Sequence, residues 1–130
     1  MSASAAPAFD AIAFQLAASL DRYALDCDAL ARRWPDKALY AAVSGQMDAL
    51  RMTASALPDI AVQHVSLLIA HAALVHSLWK SQSSPVFDPG LLARAREDHH
   101  AAVGALRRRC LRLLAETATE DDGPSARHVG

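Results

Sequence analysis

Cysteine is nearly missing from this chain, with Cys27 and Cys110 the only two in 130 residues. Two thiols are too few for a disulfide framework. Aromatic residues make up only 5%, and β-branched residues are sparse and never alternate over a run, so no strand pattern competes with helix. Lysine and glutamate are scarce, at 2 and 3, against 11 arginines and 11 aspartates. That imbalance reads as high-GC codon usage and points to a bacterial source. Net charge is −1 with pI near 6.6, so no global field draws in nucleic acid or an anionic membrane. The first 20 residues have no basic n-region, and Asp10 and Gln15 interrupt their apolar stretch, with Asp21 just beyond. No secretory signal is read, and a cytoplasmic location is the expectation.

One segment has no formal charge at all. Ile60 to Trp79 runs 20 residues without an acid or a lysine or arginine, long enough to span a bilayer. It also carries Gln63, His64, Ser66, His71, His76 and Ser77, and three histidines within a span are rare. The expectation is the most buried helix of a soluble bundle, with no membrane partner.

What is abundant is alanine, leucine and arginine, which lose little entropy in a helix. Proline marks the joints at Trp34-Pro35-Asp36, Leu57-Pro58-Asp59, Ser84-Pro85 and Asp88-Pro89, because the residue before proline avoids the helical region. Between them an apolar rhythm of three and four residues repeats. It predicts helices over roughly 8–34, 36–56, 59–82 and 89–117. The first seam is Phe9, Ala13, Leu16, Leu20, Tyr23, Cys27, Leu30 and Trp34. Short loops favour antiparallel neighbours. The expected fold is therefore all-α, an antiparallel up-down-up-down four-helix bundle. It forms one domain over 1–122, with a disordered tail over 123–130.

His64, His71 and His99 fall on these seams, where a bundle normally places leucine. A polar ring in an apolar core is either satisfied by a partner or placed there for a ligand. Counting outward from the turns puts His71 level with His99, then with Val43 and Ser44, then with Cys27. Cys27, His71 and His99 thus share one layer, and they are the donor types that zinc or another transition metal prefers. Asp26, Asp28 and His100 are the nearby spares for a fourth ligand. Hydrogen bonds between the histidines, to Ser44 or to water satisfy the same rings without a metal, and no HxxxH or CxxC spacing decides between the two. Cys110 lies ~16 Å further along the bundle, so both thiols are expected free.

Other spacings carry less. Glu97-x-x-His100 has the carboxylate–histidine interval of di-iron bundles, but three glutamates cannot complete that ligand set. Arg94-Ala-Arg-Glu-Asp-His99 resembles the Arg-x4-His motif of HEPN ribonucleases, which are small helical bundles. The resemblance implies a phosphate-binding role for Arg94 and a catalytic base at His99, across a dimer cleft. It covers six residues, and Ala95 replaces the polar residue usual after the arginine. His76-Ser-Leu-Trp-Lys80 resembles the segment around the phosphoaccepting histidine of phosphotransfer bundles, without its glycine-rich context. Arg107, Arg108, Arg109 and Arg112 read as a solvated face, since helix 4 has no aromatic residue to interleave for nucleic acid. Phe14, Leu25 and Ile69 lie off the seams and are candidates for an exposed apolar patch. Trp34 and Trp79 fall near the same end of the bundle.

No catalytic set is complete. The expected function is a small binding or accessory module, self-associating as a homodimer or holding a protein partner, with no nucleic acid. The alternatives are a metal-binding bundle through Cys27, His71 and His99, and a HEPN-like ribonuclease through Arg94 and His99.

Overall fold

A computed structural model describes residues 2–129, with side chains described from 9 to 116. Four helices form: α1 (Ser2–Arg32), α2 (Lys37–Ala54), α3 (Ala61–Ser83) and α4 (Pro89–Val129), with a single 3-10 turn at Pro58–Ile60 leading into α3. They pack as the expected all-α four-helix bundle, with no strand among the described residues.

The starts of α2 and α4 follow from side-chain capping. Asp36 is extended (φ −125°, ψ 105°), and its Oδ1 accepts the Leu39 N–H at 3.0 Å. Asp88 Oδ1 accepts the Gly90 N–H at 2.9 Å ahead of α4, with Pro89 in first position, where a missing N–H costs nothing. The outer ends differ from the sequence reading. α1 begins before Pro7, and α4 continues past Gly123 and Pro124. The tail expected over 123–130 falls where no side chain is described.

The seam of α1 is buried from Ala13 to Leu30, and Tyr23 sits wholly inside it. Phe9, the first residue of that seam, is 46% exposed. Val43, Met47, Leu50 and Ala54 are the buried row of α2. α1 packs against both α2 and α4, and α3 packs against α4, while α2 and α3 barely touch. The ring of helices is therefore open along the α2–α3 seam.

That opening corrects the expectation for α3. It is not the most buried helix: its buried positions are Leu67, Ala70, Leu74 and Leu78, while Val62 is 75% and Ile69 66% exposed. A single neighbouring helix covers one stripe. A second apolar row, Ala61, Val65, Leu68, Ala72, Val75 and Trp79, is left exposed or half-buried, and α2 makes little contact with α3. By length and composition, Pro58–Ser83 is apolar enough to cross a membrane.

Candidate metal centre

Tyr23 and Cys27 lie one turn apart on the buried face of α1, so their side chains stack along the bundle axis. His71 enters from α3 and His99 from α4, each on the apolar seam that the three-four rhythm defines. Cys27, His71 and His99 each offer one donor atom, and these atoms all lie within 4.8 Å of one another. The layer worked out from the turns is therefore the layer that forms. α2 contributes no donor to it.

The residue that sequence reasoning missed is Tyr23. Its hydroxyl lies 2.7 Å from His71 Nδ1 and 2.8 Å from His99 Nε2. A hydroxyl has one proton, so it donates to one ring and accepts an N–H from the other. The two histidines thus satisfy each other through Tyr23, not directly and not through Ser44. The signal was present in the sequence: a tyrosine on a dry seam needs a partner for its hydroxyl, and Tyr23 lies one turn from the cysteine of the layer.

Burial governs the protonation of the cluster. His99 is 2% exposed; desolvation, with His71 nearby, pushes its pKa down to about 4. Burial lowers His71 as well. The Cys27 thiol is pushed up to about 11, chiefly by burial, and burial holds the Tyr23 phenol far above its ordinary value. At neutral pH the cluster carries two neutral imidazoles, a thiol and a phenol.

The spare ligands are already paired elsewhere. Asp28 Oδ1 is 2.8 Å from His100 Nε2 on the bundle surface. Asp26 accepts from Gln46 at 2.7 Å and lies 3.7 Å from Arg22. His64 does not join the cluster; it is half-buried, and its Nε2 has no hydrogen-bond partner among the described residues. Both cysteines are free, as expected, with Cys110 also buried. Arg94 is exposed while His99 is buried, so that pair does not converge on one open surface. Arg107 pairs with Asp21 at 2.7 Å and Arg109 with Glu116 at 3.8 Å, so the basic cluster is partly neutralised.

No family model, no curated protein and no solved structure matches this chain.

Proposed function

We propose that this protein is a metal-binding helical bundle, with Cys27, His71 and His99 as the ligands. The observation that carries the reading is the convergence of three donors from three helices, with donor atoms within 4.8 Å of one another. One thiolate and two imidazoles suit zinc or a neighbouring transition metal and not magnesium or calcium, which take oxygen ligands. Three protein ligands leave a fourth position for an exogenous ligand.

The fit requires a small contraction. Ligands at ~2.0–2.3 Å from a tetrahedral zinc lie about 3.5 Å apart, so the side chains close inward by roughly 1 Å. Cys27 loses its proton to bind, which makes affinity rise with pH. Tyr23 holds His71 Nδ1 and His99 Nε2, so an ion that takes either of those atoms displaces its hydroxyl. Zinc or cobalt titration of purified protein tests this. The expected result is one equivalent bound, a thiolate-to-cobalt absorption band, and loss of both in Cys27→Ala. No stoichiometric uptake of either ion overturns it.

A second reading, self-association in the cytoplasm, has its own support in the charge-free outer face of α3, where Val62, Val65 and Ile69 are exposed. A second copy of the chain laid along α3 covers that row. Sedimentation is expected to show a dimer that Ile69→Glu dissociates. A native monomer, or a chain soluble only in detergent, overturns the reading.

A further inference from the structure

At one end of the bundle, roughly 10 Å along the axis from the Cys27–His71 layer, three aromatic rings from three helical segments meet. Trp34 follows the end of α1, Tyr40 lies in the first turn of α2, and Trp79 is near the end of α3. Trp34 and Trp79 have ring centroids 4.8 Å apart at 86°. Trp34 and Tyr40 are 6.0 Å apart at 78°, and Tyr40 and Trp79 6.3 Å at 75°. The three planes are close to mutually perpendicular, like the walls at the corner of a box.

All three line one open pocket of about 70 Å³, together with Pro35, Asp36 and Lys37. A cluster serving only to close the core would bury its rings, yet Trp79 stays 49% exposed. The pocket is far smaller than the ~300–1,000 Å³ of sites for drug-sized ligands, so it takes a head group.

The walls specify which head group. Aromatic faces carry the negative side of the ring quadrupole and attract cations. Asp36 also lines the pocket; its Oδ1 accepts the Leu39 N–H, and its negative charge favours a cation there. A primary ammonium needs acceptors for three N–H groups, and these walls are almost wholly apolar. A methylated ammonium carries the charge without donors to satisfy. Lys37 also lines the pocket and is exposed.

We propose that Trp34, Tyr40, Trp79 and Asp36 form a binding site for a small-molecule quaternary ammonium. The site shares no residue with the metal centre, and neither proposal depends on the other.

The chain has two tryptophans, and both line this pocket, so intrinsic tryptophan fluorescence reports on it directly. The full chain is titrated with tetramethylammonium and with choline at ionic strength held constant by sodium chloride. The neutral control is 3,3-dimethylbutan-1-ol, in which carbon replaces the charged nitrogen of choline. Both ammonium probes are expected to give a saturable change, with the neutral alcohol at least about fivefold weaker. Asp36→Asn keeps an N-cap acceptor and is expected to weaken choline several-fold. Tyr40→Leu removes one wall, leaves both reporters in place and is expected to abolish saturation, with circular dichroism confirming the fold. The proposal is overturned by no saturable response to either ammonium, by equal binding of the neutral alcohol, or by native affinity in both variants.

Discussion

Replacing Tyr23 with phenylalanine should have opposite effects on stability and on metal binding. The substitution keeps the ring and deletes one oxygen, the atom that lies 2.7 Å from His71 Nδ1 and 2.8 Å from His99 Nε2. Each lost hydrogen bond costs ~1 kcal/mol net, and a buried polar atom left without a partner costs ~1–3 kcal/mol. His99 is 2% exposed and takes the larger penalty; His71 is only half-buried and recovers part of its loss from solvent. The expected destabilisation is ~2–4 kcal/mol. For a chain of this length that lowers the melting temperature by roughly 6–15 °C. Thermal and urea unfolding in EDTA, followed by circular dichroism, measures it. With zinc added, the deficit should shrink. Both histidine nitrogens are free in Tyr23→Phe, so zinc raises its melting temperature by more than it raises that of the native chain. A loss below ~0.5 kcal/mol in EDTA would refute the bridge, since a hydroxyl shared by a buried ring and a half-buried one cannot be removed so cheaply. A zinc response that vanishes in Tyr23→Phe would refute the competition and make the phenol oxygen a ligand.

The metal-free protein should lose stability as pH falls from about 6.5 towards 4. The unfolded chain takes a proton on His99 at its ordinary pKa, and the folded chain refuses it until about 4. The unfolded state then binds more protons, which amounts to ~3 kcal/mol across the window. Burial lowers His71 in the same direction. Urea midpoints measured across that range should slope downwards, and His99→Leu should flatten the slope. Leu106, fully buried on α4, should cost ~2–5 kcal/mol when cut to alanine, measured by urea unfolding. Asp36→Ala removes the α2 cap seen at 3.0 Å and should cost ~0.5–2 kcal/mol by the same measurement, whereas Asp36→Asn should cost much less.

The fold was largely legible in the amino-acid order. The seam from Ala13 to Leu30 is buried, and the joints at Pro35 and Pro58 fall between helices, because a helical period and a proline act locally. The candidate site was legible as a layer: antiparallel counting brought Cys27, His71 and His99 together, and the three do meet. The identity of the histidines' partner was not. Counting placed Ser44 at a similar height, yet Tyr23 holds both rings, because rotation of α1 about its axis decides which side chain points between them. The exposure of α3 was missed for a related reason. An apolar helix with two rows, such as Leu67 beside Leu68, reads as deeply buried whether or not a second neighbour arrives.

The sequence alone determined where the inner joints between helices fall, which stripe of each helix is apolar and which donor types lie at one height, since all three are written in spacing along one chain. Only the tertiary structure decided that Tyr23 bridges the two imidazoles, that α2 stands away from α3, and that Trp34, Tyr40 and Trp79 enclose a pocket. Those outcomes depend on how helices rotate and lean against one another, which is set by the packing of all their side chains at once.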